Sequence, residues 1–426
     1  MIITIFVISL LFPLACGMPV AFALIVSSVA MMAYMDLFSV DIIAQNMIGG
    51  SDNFILMAVP FFLLAGELMN AGGLSRRIVD LGFAFVGHFN GGLGYVAIFA
   101  AMILASLSGS AVADTAAICA MLMPMMRKAG YDPGRSAGLI AAGGIIAPVI
   151  PPSIGLIIFG VVANVSITKL FLAGIVPGIL MGASLVVTWW LINRGGDRAP
   201  VRPRATAKEL MEAVRSGTWA ILMPVIIIGG LRGGVFTPTE AAVIAVAYSA
   251  FVGAVIYREL GFASCYAALV RAAKASAAVM LIIAAASVSA WLITITDIQT
   301  AVASLLQPFI EYPKLTMLLM MLLVVVIGTA LDFTPTILIM TPVLMPICAM
   351  ANIDPIYFGV LFVMNNAIGL ITPPVGSVLN AAAGASGLTL DNVTKGVWPF
   401  LVAELVVLGI LVLFPELVMW PARLLF

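Results

Sequence analysis

Long apolar runs separated by short polar segments are the dominant pattern of this chain. A helix that crosses about 30 Å of hydrocarbon needs about 20 mainly apolar residues. The runs therefore predict membrane-spanning helices along the whole length. The predicted spans are residues 1–16, 18–35, 54–69, 167–192, 217–231, 240–257, 272–295 and 397–418.

One further apolar region carries polar interruptions. Residues 92–105 and 111–126 flank the Ser- and Gly-rich stretch Ser106–Asp114, and the following apolar segment, 136–162, is broken at Pro151-Pro152. Because each flanking arm has only about 15 residues, we predict a re-entrant hairpin over about 92–126 and a broken helix over about 136–162. Such non-helical backbone at membrane depth persists only where it is buried in protein or lines a cavity.

The same arrangement recurs 222 residues downstream. At this offset Ser106 and Ser110 align with Gly328 and Asp332, and the pairs Met123-Pro124, Asp132-Pro133 and Pro151-Pro152 align with Met345-Pro346, Asp354-Pro355 and Pro373-Pro374. We predict a second hairpin over about 315–350 and a second broken helix over about 355–383. Matched broken helices in two halves are typical of secondary transporters.

Polar segments between the runs complete the predicted organisation. Residues 35–53 are predicted to form a loop, 72–90 an amphipathic helix at the membrane interface, and 296–314 a mixed segment. Residues 194–216 contain six basic residues and are predicted to be a linker between a first repeat, 1–193, and a second, 217–426.

The basic residues predict the topology. With the linker in the cytoplasm, 15 of the 19 Lys and Arg residues lie on the cytoplasmic side, as the positive-inside rule expects. Both termini then lie outside, and the two hairpins enter from opposite sides of the membrane. The repeats are therefore predicted to be inverted.

Composition supports the membrane class and excludes others. The chain of 426 residues is 63% hydrophobic and 9% charged, whereas soluble domains are about a quarter charged. The net charge of zero suggests no nucleic-acid partner. The four Cys residues stand singly, so we expect neither disulfides nor a zinc site. With one His and no H-E-x-x-H motif, an enzyme is not expected.

The breaks carry the candidate chemistry. A hard cation such as sodium prefers oxygen ligands, and helix breaks release backbone carbonyls beside Ser and Thr hydroxyls. We predict one cation cage in each half, and hence at least two sodium ions. The candidate ligands are Ser106, Ser108, Gly109, Ser110, Pro148, Val149 and Pro151 in the first half, and Gly328, Thr329, Asp332, Thr336, Gly369, Thr372 and Pro373 in the second.

A solute site is predicted between the cages. Helices that begin after each break present free N–H groups that suit a carboxylate, so the expected solute is an organic anion. The candidate solute-binding residues are Ser108, Ser153, Thr334, Pro335, Asn365, Asn366, Pro374 and Gly376.

Each candidate has a structural alternative. Gly, Ser and Thr in membrane helices also serve close helix packing. Asp114 is more simply a cap or a local partner than an ion ligand, whereas for Asp332 an ion or proton role and capping stand equal. Asn365 and Asn366 either line the solute site or bond between helices.

Three further polar residues are expected to have no ligand role. Glu67 and Glu240 are expected to pair locally near span ends. His88 is expected to be an interfacial side chain.

Five motifs identify a family. The stretches Gly17–Ala23, Val59–Gly66, Ser106–Thr115, Ile150–Ser153 and Asn365–Gly376 resemble the large membrane subunit of tripartite ATP-independent periplasmic (TRAP) transporters. The resemblance covers essentially the whole chain. It implies an all-α inverted-repeat fold of the elevator type, in which a transport domain carrying both hairpins slides against a scaffold.

The resemblance also implies a function and partners. It implies sodium-coupled import of a carboxylate, of the C4-dicarboxylate or sialic acid type, across a bacterial inner membrane. A small four-helix membrane subunit and a periplasmic binding protein would be separate chains. The alternative is a stand-alone symporter, because the family more remotely resembles sodium/dicarboxylate symporters that need no binding protein.

Overall fold

The computed structural model describes residues 2–194, 203–329 and 331–425, and all regular secondary structure in these ranges is helical. The helices are α1 (Ile2–Ala15), α2 (Val20–Tyr34), α3 (Val40–Ser51), α4 (Ala58–Ala71), α5 (Leu74–Val86), α6 (Gly92–Ser108), α7 (Ala111–Lys128), α8 (Pro133–Gly144), α9 (Ile154–Val162), α10 (Ile167–Asn193), α11 (Ala207–Arg232), α12 (Pro238–Phe251), α13 (Phe262–Ile295), α14 (Ile298–Leu306), α15 (Pro313–Gly328), α16 (Phe333–Met350), α17 (Pro355–Gly369), α18 (Ser377–Ser386), α19 (Leu390–Leu413) and α20 (Glu416–Leu425).

Membrane-crossing helices are abundant. Within the described ranges, seven helical segments are long and apolar enough to span a bilayer, and five shorter apolar helices accompany them. The chain is therefore an all-helical, multi-span membrane protein. Short 3-10 turns precede α4 and follow α14, and a π-helical turn, Val252–Ile256, extends α12.

The two halves have matching elements. Helices α7 and α16 are both 18 residues long and begin 222 positions apart. Asp132 and Asp354 both occupy the N-cap position before a proline. Asp132 accepts a hydrogen bond from the Arg135 amide at 2.7 Å, and Asp354 accepts one from the Ile356 amide at 2.8 Å. The sequence landmarks at this offset therefore correspond to equivalent local structures.

Helices α13 and α19 are each packed against several others, and α13 also contacts α16. Helix α13 packs against α2, α3 and α4, and α4 also packs against α12. Helix α19 packs against α8 and α10. At the contact of α8 with α19, a Cβ added to Gly138 would lie 2.6 Å from the Gly396 carbonyl carbon. These backbones approach so closely that only glycine fits at the contact.

Several predicted bounds were wrong. Residues 35–53 were expected to form a loop, but Val40–Ser51 is helical. The three spans predicted from 217, 240 and 272 begin earlier, at Ala207, Pro238 and Phe262, because polar residues in their first turns interrupt the apolar pattern without ending the helix.

Other expectations have mixed outcomes. The last span is divided into α19 and α20, and the mixed segment 296–314 contains α14. The predicted linker is shorter, because 207–216 belong to α11. Arg198 and Arg202 of that linker lie outside the described residues. Helix α5 has the predicted amphipathic character, with Leu74 and Ile78 buried and Arg76 and Asp80 exposed.

The hairpin arms are longer than expected. They have 17 and 18 residues in the first half, and 16 and 18 in the second, rather than about 15. The helical ends extend into the polar stretches, because Ser and Gly there still satisfy helical hydrogen bonds. Arm length therefore does not separate a re-entrant hairpin from a pair of crossing helices.

Candidate functional site

The first polar tip connects α6 to α7 through a two-residue turn. Gly109 adopts a left-handed conformation (φ +61°), which favours glycine. Ser110 is the N-cap of α7 and accepts a 3.4 Å hydrogen bond from the Ala113 amide. Ser108 Oγ donates to Asp114 Oδ1 at 2.6 Å and accepts from the Ser110 amide at 3.1 Å. The prediction that Asp114 pairs locally is confirmed, and its carboxylate lies buried one turn inside the tip.

The first break is a buried, non-helical segment between α8 and α9. Pro148, Val149 and Pro151 are all buried, and the Pro151–Pro152 peptide is cis. Ser153 caps α9 by accepting a 3.1 Å hydrogen bond from the Leu156 amide, and its hydroxyl donates to the Pro148 carbonyl. The capping serine thus ties the two sides of the break together.

The first tip lies directly against the first break. A Cβ added to Gly109 would lie 3.2 Å from the Pro152 carbonyl oxygen. On its other side the tip touches α4, where a Cβ on Gly66 would lie 3.2 Å from the Ser108 Cα. The structure therefore brings the tip and the break together as predicted.

The second polar tip has a different arrangement. Asp332 stands at the N-cap position of α16 but makes no capping hydrogen bond, so capping does not account for it. Its Oδ1 accepts a 3.2 Å hydrogen bond from Ser377 Oγ, at the start of α18. Thr336 is fully buried and donates to the Asp332 carbonyl at 2.9 Å. Asp332 itself is exposed, unlike Asp114.

The second break also meets its tip. A Cβ on Gly369 would lie 3.2 Å from the Gly328 carbonyl oxygen, and one on Gly328 would lie 3.6 Å from Asn366 Oδ1. Asn366 Nδ2 donates to the Phe333 carbonyl at 2.6 Å. Its Oδ1 is buried without a hydrogen-bond partner. Asn366 Oδ1, which has no hydrogen-bond partner, thus lies where the second tip comes closest to the second break.

The two halves touch each other at Phe333. A Cβ on Gly155, near the start of α9, would lie 2.5 Å from the Phe333 ring atom Cζ. Phe333 begins α16, so the second tip rests on the helix that follows the first break. This contact places the four candidate elements, two tips and two breaks, next to one another.

The remaining predicted residues occupy less central positions. Ser106, Thr329 and Thr372 each donate within their own helical turn, to Ile103, Val326 and Ile368. The Val149 carbonyl oxygen lies against α10, because a Cβ on Gly174 would come within 2.6 Å of it. These contacts leave the hydroxyl lone pairs of the three helical residues available, and they place the Val149 carbonyl oxygen at the contact with α10.

The predicted solute residues differ in accessibility. Asn365 is buried and its Nδ2 donates to the Met321 carbonyl at 2.6 Å, so both asparagines bond between elements. Thr334 is half-buried and Pro335 buried, Pro374 is exposed, and Gly376 is buried at the N-cap of α18. The second break is therefore more open than the first.

The three polar residues that were expected to have no ligand role are Glu67, Glu240 and His88. Glu67 was expected to pair locally, but it forms a 2.7 Å salt bridge with Arg271 of α13, because α4 and α13 pack together. Glu240 pairs locally, as expected, in a capping box with Thr237. The ring of His88 lies 4.3 Å from that of Phe89.

The site has few charges and several unsatisfied oxygens. Within the ranges that the structure covers, no group of three or more His, Cys, Asp or Glu side chains could hold a metal ion. The buried oxygens without a hydrogen-bond partner at the tips and breaks are Asp114 Oδ2, Thr115 Oγ1, Asn365 Oδ1 and Asn366 Oδ1. Such a set suits a hard cation bound by neutral oxygens and a few carboxylates.

Sequence reasoning missed three residues of this region. Ser377 was not predicted as a ligand, although it follows Gly376 directly and pairs with Asp332. Gly155 and Phe333 were not predicted either, because an apolar contact between halves leaves no local pattern. The sequence signal for Ser377 is its hydroxyl directly after the second break; the residue aligned with it at the offset of 222 is Gly155, which adds no signal.

Comparisons with known proteins agree on one family. Residues 7–417 match the family described as "Tripartite ATP-independent periplasmic transporter, DctM component". The chain is 52% identical over 423 residues to the 2,3-diketo-L-gulonate TRAP transporter large permease protein YiaN of Escherichia coli, covering 99% of both chains.

A second relative is longer than this chain. The isethionate TRAP transporter permease protein DctMQ of Oleidesulfovibrio alaskensis is 38% identical, and the match covers 96% of this chain but 64% of that protein. Its name joins the large component to DctQ, the small subunit. The family thus includes chains in which the two membrane components are fused.

A solved structure supports the fold. The crystal structure of the Alcanivorax borkumensis YdaH transporter matches with a TM-score of 0.63 over 92% of this chain and 90% of that one, at 15% identity. The shared architecture is that of a multi-span helical transporter. The family model and the full-length relatives show that this chain belongs to the DctM family and is the large membrane permease component of a bacterial TRAP transporter, not an enzyme.

Proposed function

We propose that this permease imports an organic carboxylate together with sodium ions. The observation that carries the proposal is the duplicated contact between a polar tip and a broken helix, with unsatisfied buried oxygens beside it. In a membrane interior, unsatisfied polar atoms are costly, so they persist where they bind something.

Sodium fits the donor set of both halves. In the first half, the Ser and carbonyl oxygens around Ser108 would surround the ion. Asp114 pairs with Ser108 through Oδ1, and its Oδ2, which has no hydrogen-bond partner, would add a carboxylate oxygen. In the second half, Asp332, Asn366 Oδ1 and the carbonyl oxygens near Gly328 and Gly369 would do so. Each half contributes one carboxylate, which suits a monovalent cation bound mainly by neutral oxygens.

An anionic solute fits the starts of the helices. Helices α9 and α18 begin at the breaks, and their first amides point out of the helix with the positive end of its dipole. Phe333 lies beside the start of α9 and would provide an apolar wall. The relative with 52% identity is named for 2,3-diketo-L-gulonate, a sugar acid, so we propose a solute of this class. C4-dicarboxylates and sialic acids are the competing carboxylates.

The transport cycle is proposed to be an elevator. The two halves would be inverted repeats with re-entrant hairpins, and the body carrying the tips would slide against the helices around α13. Support comes from the equivalent helices at a constant offset and from the packing of α2, α3, α4 and α12 around α13, a group that touches the tip-bearing helices through α16 and α6.

Two partner chains are proposed. The fused relative supports a small membrane subunit beside this chain. The tripartite family supports a periplasmic binding protein that delivers the solute. Selectivity would then reside largely in the binding protein.

Uptake into proteoliposomes tests the proposal. The chain is reconstituted with its small membrane subunit and its periplasmic binding protein, and uptake of labelled carboxylates is measured with and without an inward sodium gradient. Uptake that requires both the gradient and the binding protein is expected. Equal uptake without the gradient would overturn sodium coupling, whereas uptake without the binding protein would favour a stand-alone symporter.

A further inference from the structure

A groove lies beside the turn that connects α5 to α6, and its volume is about 820 Å³. One wall is a face of α6, along which Tyr95, Phe99 and Met102 follow one another at helical spacing. The other wall is the end of α10, where Val187 and Trp190 line the groove. Its size falls within the range of ligand-binding pockets, about 300–1,000 Å³.

The polar lining of the groove is confined to one end. Apart from the Trp190 ring, the polar side chains of the lining are His88 and Asn90, in the turn, and Tyr95, in the first turn of α6. Met102 lies seven residues farther along α6 than Tyr95, which corresponds to about 10 Å, and the lining there is apolar. The groove thus has a polar end and an apolar interior.

A cationic group and aromatic rings stand at the polar end. Trp189 Nε1 donates to the Gly91 carbonyl at 2.9 Å, which fixes the turn to the end of α10. The guanidinium carbon of Arg194, directly after α10, lies 5.1 Å from the centre of the Trp190 ring. Tyr and Trp are enriched where a membrane meets water, and the preceding helix, α5, is amphipathic as interfacial helices are. The polar end therefore lies at the level of the lipid headgroups.

The polar end also carries a polar atom without a partner. His88 Nδ1 is buried and makes no hydrogen bond. An imidazole offers one N–H donor when neutral and two when charged. None of the described residues that line the groove is acidic. Together with Arg194, this end of the groove suits an anion that accepts hydrogen bonds.

The walls fit acyl chains better than a helix of a partner chain. Contacts between membrane helices rely on small residues that let two backbones approach closely. Here the walls are formed by large side chains, among them Phe99, Met102 and Trp190. Val187 and Trp190 are 55% and 48% exposed, so much of the apolar surface is uncovered. A flexible acyl chain can follow such an uneven surface, whereas a helix backbone is held away from it.

We propose that this groove binds an anionic glycerophospholipid such as phosphatidylglycerol. Its acyl chains lie between α6 and α10, and its phosphate accepts hydrogen bonds from Arg194 and His88. The lipid occupies the place where the amphipathic helix α5 joins the arm of the first tip. This inference depends neither on sodium coupling nor on the identity of the solute.

Quenching of Trp190 fluorescence by brominated lipids tests the proposal. The full-length chain is reconstituted in phosphatidylcholine vesicles that contain equal fractions of dibrominated phosphatidylglycerol or dibrominated phosphatidylcholine. The signal of Trp190 is the difference between the native chain and Trp190→Phe. Phosphatidylglycerol is expected to be preferred about fivefold at Trp190, which corresponds to the effect of about 1 kcal/mol for one basic residue near a membrane surface. Arg194→Gln is expected to remove this preference.

Trp398 is the matched control for ordinary contact with the bilayer. It is 51% exposed, and the neighbouring Lys395 is already paired with Asp391 at 2.6 Å. The difference between the native chain and Trp398→Phe is expected to show similar quenching by both lipids. Similar quenching of Trp190 by both lipids would show ordinary bilayer contact only and would overturn the proposal. Loss of Trp190 quenching when the small membrane subunit is added would also overturn it, because a protein would then cover the groove.

Thermal unfolding in an uncharged detergent gives a second measurement that does not use the tryptophan variants. A ligand that binds only the folded state raises the unfolding midpoint. Added phosphatidylglycerol is expected to raise the midpoint of the native chain more than the same amount of phosphatidylcholine. The two lipids are expected to act equally on Arg194→Gln. An equal response of the native chain to both lipids would contradict a specific anionic site.

Discussion

The contact between Gly155 and Phe333 yields the sharpest test of how the two halves depend on each other. Gly155→Ala would place a methyl carbon 2.5 Å from the Phe333 Cζ atom and 2.7 Å from Cε1. Carbon atoms in contact prefer about 3.5–4.0 Å, so the ring or the α9 backbone must move by about 1 Å. Phe333 is only half-buried, but its backbone carbonyl is held by Asn366 at 2.6 Å, which limits how far the tip can yield.

The magnitude follows from the overlap. Extra methyl groups in a packed site cost about 1–3 kcal/mol. About 1.4 kcal/mol corresponds to a factor of ten. The population of molecules in which the tips and breaks are assembled would therefore fall by between about fivefold and about a hundredfold. Uptake in proteoliposomes is expected to fall within this range if the assembled tips and breaks form the transport site.

A matched variant and a rescue separate this effect from general damage. Gly409, on α19, has open space where a Cβ would be added, so Gly409→Ala is expected to keep native uptake and stability. Phe333→Leu combined with Gly155→Ala gives the methyl group room, and the double variant is expected to transport better than Gly155→Ala alone. Strictly additive effects of the two changes, or native uptake in Gly155→Ala, would refute the contact between the halves.

Three further outcomes are expected. Asp332→Asn should raise the sodium concentration needed for half-maximal uptake. Ser377→Ala should raise it to a smaller extent, because Ser377 orients the Asp332 carboxylate. If neither variant changes the sodium requirement, neither residue belongs to the ion site. Ser108→Ala leaves Asp114 without its hydrogen-bond donor and should cost about 1–3 kcal/mol, measured as a lower unfolding midpoint. Gly138→Ala forces a methyl group into the α19 backbone and should cost about 3 kcal/mol or more, seen as loss of folded protein on size-exclusion chromatography.

The sequence predicted the helical pattern and the positions of the breaks well, for a physical reason. Apolar length and proline pairs are local properties, and each acts directly on the backbone that contains it. The prediction of helices from apolar length fails for α3, which begins at residue 40. The segment Val40–Ser51 is only moderately apolar and none of its residues is fully buried, so its helical form depends on contact with α13 rather than on an apolar pattern of its own.

The candidate site was predicted in part because its ligands cluster in sequence. Ser108 lies in the first tip and Asp332 in the equivalent tip, so local chemistry singled out both as candidates, whereas Asp114 was expected to be a cap or a local partner. Glu67 with Arg271 and Gly155 with Phe333 are pairs that only the tertiary fold creates. No spacing rule connects residues about 200 positions apart unless a repeat aligns them, and neither pair is aligned by the offset of 222.

Alignment of the two halves at the offset of 222 shows that the tips carry a carboxylate and a hydroxyl at exchanged positions. Ser110 aligns with Asp332 at the N-cap, and Asp114 aligns with Thr336 four residues later. Each half therefore carries one carboxylate and one hydroxyl at the same two positions, but in the opposite order. The charge of the first tip lies buried inside α7, whereas that of the second is exposed and held by Ser377.

This exchange makes the two proposed ion sites unequal although their charge is the same. A buried carboxylate attracts a cation through a low dielectric and is screened little by salt, whereas an exposed one is screened within about 10 Å. The first site should therefore bind sodium more tightly and lose it last, and the second should exchange ions freely while its break stays open. We therefore expect sodium to fill the first site, whose carboxylate is buried, before it fills the second.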